Sequence, residues 1–236
     1  MKLERLKVAA LASALLAVAG VASADGRNSY DVVITNVTKG QVFSPPVLVS
    51  HDDSIALFQA GAPALPELAI VAEDGAGRPL ANLLNTLPQV SQAQYTTAPI
   101  PPGASAAYEV YTGDRRGRGK SKGKGRGSDN VLSAVGMLVN TNDAFFALDS
   151  VELPDDRGDT LTYYVGAYDA GSEGNNEDCA FVPGPACPAG SGNARSTGDA
   201  EGYVHIHNGV HGIADLGPAA YDWRNPVAKI TITRTR

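Results

Sequence analysis

Two groups of residues in this 236-residue chain have the types and spacing that chemistry needs. The first is acidic. The stretch AYDAGSEGNNEDC, Ala167 to Cys179, sets Asp169, Glu173, Glu177 and Asp178 among glycines and asparagines, directly after LTYYVG, which reads as a buried strand. Asp143, in NTNDAFF, stands just after another apolar run. If the strands carrying these segments are neighbours, their ends converge. Hard cations such as calcium take about six to eight oxygen ligands from carboxylates, amides, carbonyls and water, and glycine lets backbone carbonyls turn inward. The same residues also read as an acidic, solvated turn. The spacing is not that of an EF-hand, whose loop carries oxygen ligands at regular intervals between two helices.

The second group is basic. VHIHNGVHG brings together His205, His207 and His211, three of the four histidines in the chain. On a strand, His205 and His207 point to the same face. Two such imidazoles and a third after a turn suit zinc, with a coordination position left for water. A zinc-dependent hydrolase is the function that arrangement would serve. The structural alternative is that ring N–H groups near a strand end tie down backbone carbonyls. Nucleophile signatures are missing. Outside the glycine-rich basic run there is no G-x-S-x-G elbow, and Ser50 and His51, adjacent in VLVSHDD, face opposite ways on a strand. GAGRPLAN lacks the Lys-Ser/Thr step of a phosphate-binding loop. The reading is of a non-catalytic protein.

The elements that would position these groups are mostly strands. SYDVVITNVT, PPVLVSH, SIALFQAG, SAAYEVYT, NVLSAVGMLVNT, TLTYYVGAYDAG and GYVHIHN carry β-branched and aromatic residues between turn signals. VAKITITRTR alternates Ala228, Ile230 and Ile232 with Lys229, Thr231 and Thr233, the pattern of a half-buried strand. LPELAIVAEDG reads as a helix, with Pro66 in its first turn, Leu68 and Val71 on one face and Gly75 where a C-terminal cap belongs. PLANLLNTLP reads as a second short helix or turn. Many strands, few helices and long Gly/Pro-rich connections point to an all-β chain, an antiparallel β-sandwich with short helical insertions.

The N-terminal MKLERLK, the short apolar run after it and the small-x-small site at Ala22 to Ala24 read as a secretory signal peptide over residues 1–24. The mature domain then spans 25–236 and is secreted or periplasmic. No later segment is long and apolar enough for a transmembrane helix. Cys179 and Cys187, the two cysteines, are expected to form one short-loop disulfide outside the cytoplasm. A metal–thiolate pair or redox couple would need closer spacing or further ligands.

The net charge of −6 conceals an asymmetry. Arg115, Arg116, Arg118, Lys120, Lys122, Lys124 and Arg126 form a run of seven basic residues, which leaves 12 basic against 25 acidic residues elsewhere. Glycine at nearly every second position predicts a disordered loop over 113–129. Such a loop attracts polyanions: an extracellular or envelope polysaccharide, a protein or an anionic surface, and it equally suits a structural envelope protein held to an anionic polymer. With no aromatic interleaved, base stacking has no platform, and specific nucleic-acid binding is not expected.

Read in order, FSPPVLVSHDDSIALFQAGAPALPELAIVAEDG, SAVGMLVNTNDAFF, YDAGSE and PVAKITITR resemble the spondin N-terminal domain of the F-spondin and mindin type, in a bacterial secreted form. The likeness runs through a Ser-His step, a Gly-x-Pro-Ala turn and a short helix ending Ala-Glu-x-Gly. It continues through a Pro-Asp-Trp-like turn and an Asp-Ala-Gly-Thr-Asp-like loop. It implies an antiparallel β-sandwich similar in layout to calcium-dependent lipid-docking domains, with one calcium ion at one end. Carried over, the ligands fall on Asp143, Asp169 and Glu173. Glu173 stands where the family has aspartate, and Phe145 and Phe146 stand near the family's tryptophan. The resemblance implies a role in adhesion or matrix binding, although the thrombospondin repeats of the animal relatives have no counterpart here.

Overall fold

Alternation is realised most plainly at the C-terminal end. In the computed structural model, which describes residues 27–113 and 131–236, Ala228–Arg234 is a strand with Ala228, Ile230 and Ile232 buried. The signal segment 1–24 and the basic run Arg115 to Arg126 lie outside the described residues. In chain order the strands are β1 (Asn28–Asn36), β2 (Val47–His51), β3 (Val90–Tyr95), β4 (Ser105–Thr112), β5 (Val131–Met137), β6 (Ala144–Glu152), β7 (Thr160–Val165), β8 (Ala167–Asp169), β9 (His205–Ile206) and β10 (Ala228–Arg234). Three short helices join them: α1 (Pro66–Asp74), α2 (Arg78–Leu84) and α3 (Pro218–Tyr221).

The strands form two antiparallel sheets, one ordered β4-β1-β10-β7 and the other β3-β2-β5-β6-β8-β9. The architecture is therefore the all-β sandwich expected. Between the sheets, Val32, Ile34, Ile230 and Ile232 meet Leu48, Leu132, Phe146 and Leu148. The six-stranded sheet is buried on its other face too. There Val47, Val49, Val135 and Phe145 pack under Leu68 and Val71 of α1 and Leu80 and Leu84 of α2. This explains why β2 and β5 are buried at every position and read as continuous apolar runs rather than alternating ones. Helix α1 begins at Pro66 and ends at Gly75, whose φ of 65° gives the left-handed cap. No helix among the described residues is long and apolar enough to cross a membrane.

Three expectations need correction. SIALFQAG forms no strand. Leu57 is instead buried under the helical layer and its N–H bonds to Asp149 Oδ1, while Phe58 packs edge-on to Phe145. LTYYVG is not a buried strand, because β7 is the edge of the four-stranded sheet and mostly exposed. TLTYYVGAYDAG is not one strand either. It breaks at Gly166, so that β7 belongs to one sheet and β8 to the other. A side chain at Gly166 would press on Asn225, which holds the break by accepting from the Ala167 N–H at 2.8 Å.

Candidate metal centre

The site begins with a tight hairpin connection. Thr141 Oγ1 donates to the Leu138 carbonyl at 2.6 Å and accepts from the Ala144 N–H at 3.1 Å, closing the turn between β5 and β6. Asp143 therefore sits at the entrance to β6. Ala144 pairs with Asp169 at the end of β8, and the Ala170 N–H bonds to the Asp143 carbonyl at 3.2 Å. The two strand ends do converge, through sheet register.

Both carboxylates are fully buried. Asp143 Oδ2 accepts three hydrogen bonds, from the Ser172 N–H (2.8 Å), Ser172 Oγ (3.1 Å) and the Glu173 N–H (2.9 Å). Asp143 Oδ1 accepts none. Asp169 Oδ1 accepts from the Gly171 N–H at 2.7 Å, and Oδ2 from Asn175 Nδ2 at 2.6 Å. Burial, and after it the charge of Asp169, push the Asp143 carboxyl up to about 8 against its three donors. Burial also raises Asp169, opposed by Asn175, Gly171 and His205. Two buried carboxylates side by side, one with a bare oxygen, need a shared proton or a cation. Asp143 Oδ1 and the Asp169 carboxylate thus fit a hard cation, with backbone carbonyls, amides and water to complete its shell.

Glu173 meets Asp143 through its backbone. Its N–H orients Asp143, whereas its buried carboxyl faces Arg195 Nε at 3.5 Å, and neither oxygen has a hydrogen-bond partner. Arg195 also pairs with Glu73 at 2.8 Å and with Asp74 at the end of α1. Burial raises the Glu173 carboxyl to about 7, with Arg195 opposing and Glu73 adding to the rise.

The remaining acids of the loop are structural. Glu177 adopts a left-handed conformation, with φ 57°, and turns its buried carboxylate onto the N–H groups of His211 (2.5 Å), Gly212 (2.7 Å) and Ile213 (3.0 Å). Asp178 Oδ1 accepts from the Ala180 N–H at 2.8 Å. Cys179 and Cys187 form the expected disulfide, with an S–S distance of 2.01 Å.

The histidines take three different roles. His205 Nδ1 lies 3.7 Å from Asp169 Oδ1 and 3.3 Å from the Tyr203 carbonyl. His207 Nδ1 accepts from the Gly209 N–H at 3.0 Å, so its proton is on Nε2, which has no partner and lies 3.7 Å from Asp169 Oδ2. His211 enters the network through its backbone N–H. Among the described residues the three rings are not found as a group of converging ligand atoms. A group that does come together is Asp169, Glu201 and His205, whose ligand atoms lie within 4.8 Å of one another. Glu201, in a glycine-flanked loop far from Asp169 in sequence, carries no periodic signal that would have singled it out.

A serine–histidine pair also exists, in a place adjacency in sequence does not show. His51 Nε2 bonds to Ser133 Oγ at 2.8 Å, His51 Nδ1 to the Asp52 carbonyl at 2.7 Å, and Ser133 Oγ to Asp149 Oδ1 at 3.0 Å. Ser133 and His51 are fully buried, and Ser133 Oγ also accepts from the Ser150 N–H at 2.8 Å. The hydroxyl is saturated and sealed beneath the helical layer, so this is a core network. Neither a protein-family model nor a curated protein sequence matches this chain.

Proposed function

We propose that this chain is a secreted, non-catalytic β-sandwich module of the spondin N-terminal type, which binds one calcium ion at Asp143 and Asp169 and works in adhesion to a surface or matrix. The observation that carries the reading is Asp143 Oδ1, a buried carboxylate oxygen without a partner beside a second buried carboxylate. Calcium would relieve the repulsion between the two charges and lock the β5–β6 turn to the end of β8. Glu173 takes part through the N–H that aims Asp143. Its carboxyl, one methylene longer than the aspartate of the family motif, lies 3.5 Å from Arg195 Nε.

The seven basic residues from Arg115 to Arg126 supply the complementary half of the reading, attraction to an acidic polymer. That attraction is screened over about 8 Å at physiological ionic strength, so retention on a heparin-like matrix should fall steeply with salt. The central test is thermal unfolding against free calcium. A cation bound by the folded state alone raises Tm with the logarithm of its concentration. Wild type should show this rise and Asp169→Ala should not. Equal shifts in both would refute the site.

A further inference from the structure

We propose a second cation position on the outer side of Asp169, formed by His205 Nδ1, a Glu201 carboxylate oxygen and Asp169 Oδ1, that takes a divalent transition metal of the zinc class. It shares Asp169 with the calcium reading but does not depend on it, because His205 and Glu201 have no part in holding calcium.

Three ligand atoms from separate parts of the chain lie within 4.8 Å of one another. Two ligands each about 2.1 Å from a tetrahedral ion stand about 3.4 Å apart. The 3.7 Å between His205 Nδ1 and Asp169 Oδ1 therefore needs only a small closure. The fold holds the three groups in place. Gly171 bonds through its carbonyl to the Gly202 N–H at 2.8 Å, and a side chain at Gly171 would strike the backbone of Tyr203. That contact clamps the loop after β8 onto the segment leading into β9. Asn175 Nδ2 reaches both Asp169 Oδ2 (2.6 Å) and Glu201 Oε1 (3.3 Å), holding the two carboxylates on one side.

His207 is the independent sign of a ligand. Its side chain is only 4 % exposed, and its Nε2–H, directed at the same Asp169 carboxylate, lacks an acceptor. A buried N–H without an acceptor is costly. A metal-bound water or a metal-drawn shift of the Asp169 carboxylate would satisfy it, as outer-shell donors do in metal sites generally. Because Nδ1 is engaged by Gly209, His207 serves as this orienting donor and not as a ligand.

The donor set decides the metal class. Imidazole nitrogen favours zinc, copper, iron and nickel over calcium and magnesium, and two carboxylate oxygens beside one imidazole suit zinc. Three protein ligands leave a coordination position for water. Glu201 is exposed and the His205 side chain is 22 % exposed, so an ion enters from solvent. To ligate, His205 Nδ1 must release its 3.3 Å contact to the Tyr203 carbonyl and carry its proton on Nε2.

The test uses the purified chain, stripped of metal with a chelator, and titrated with Zn2+ by calorimetry and with Co2+ by visible absorption. Wild type should bind one equivalent, with the ligand-field bands of a low-coordinate Co2+ site. His205→Ala should weaken Zn2+ binding by more than about 100-fold, beyond the range for an outer-shell partner, and the exposed Glu201→Gln by at least about tenfold. Both variants should keep the calcium-dependent rise in Tm. Absence of stoichiometric binding, or unchanged affinity in both variants, overturns the proposal. So does loss of the calcium response in His205→Ala without any Zn2+ binding in wild type, which would mean a single site. Zn2+ binding through His205 in a protein with no calcium response would leave this proposal standing and remove the calcium reading.

Discussion

The backbone N–H of Glu173 donates to Asp143 Oδ2 at 2.9 Å, across 30 positions of sequence, while the Glu173 carboxyl lies 3.5 Å from Arg195 Nε. One residue thus aims a candidate ligand with its main chain and neutralises a neighbouring cation with its side chain. Substitution should separate these roles. Glu173→Gln keeps the N–H and should retain most of the calcium-dependent rise in Tm, whereas Asp143→Asn should lose it. Calcium-dependent melting of the two variants side by side checks this, and equal loss in both would make the Glu173 carboxyl a ligand.

Asp143 sets a pH dependence with a definite direction. Its carboxyl is raised to about 8, above its ordinary value, by burial first and the Asp169 charge second. A group raised on folding contributes stability that is complete below its unfolded value and lost as pH rises through the folded one. Without metal, stability should therefore decline from about pH 4 toward and through about pH 8 relative to Asp143→Asn. Calcium replaces the proton, so its stabilising effect should grow over the same range. Melting with and without calcium at about pH 5.5 and about pH 8.5 is the measurement. A calcium increment equal at both values would contradict it.

His207 works in the opposite sense. Burial, with the charges of His205 and His211, depresses it to about 3. Its contribution is complete above the unfolded value of about 6.5 and is lost as pH falls from there toward about 3. His207→Gln, which keeps an acceptor for Gly209, should flatten the acid limb of the stability curve below about pH 6. Denaturant unfolding at neutral and mildly acidic pH would show it.

Glu177 carries three backbone N–H bonds on one buried carboxylate. Hydrogen bonds to a charged group contribute about 1.5–3 kcal/mol each, although the donors sit on exposed residues that water can partly satisfy. Glu177→Ala should therefore cost about 3 kcal/mol or more in chemical denaturation. A loss within about 0.5 kcal/mol, the range of an ordinary surface substitution, would show that this loop is not held there.

Ser133 and His51 should behave as core residues. An active-site serine probe should leave Ser133 unlabelled, because its hydroxyl is buried and already bonded to His51, Asp149 and Ser150. His51→Ala should cost about 1–3 kcal/mol from unpaired partners, with a further cost from the cavity. Labelling at Ser133 would point to an opening that the packing does not provide.

What the sequence made legible follows from which physical signals are local. β10 and α1 could be read because a period of two and a Pro-to-Gly frame sit in contiguous residues. The approach of Asp143 to Asp169 depended on neighbouring strands and was readable only as a condition, which the Ala144–Asp169 register meets. SIALFQAG misled because its apolar residues serve the layer beneath α1 and α2, where burial needs no strand. LTYYVG misled because aromatic and β-branched content is shared by edge and central strands. Glu201, Arg195 and the Ser133–His51 pair were illegible, since each acquires its partner only through tertiary contact.

The break at Gly166 has a mechanical meaning. The chain leaves one sheet at Val165 and joins the other at Ala167, only two residues before Asp169 at the end of β8. Asp169 is thus mounted on a corner strap rather than on a free loop. The second strap is Asn225, 58 positions downstream, whose side chain grips Ala167 just before β10. Prying the two sheets apart would pull on Asp169 at once, and a cation clamped there would resist shear of the whole sandwich instead of merely ordering a tip.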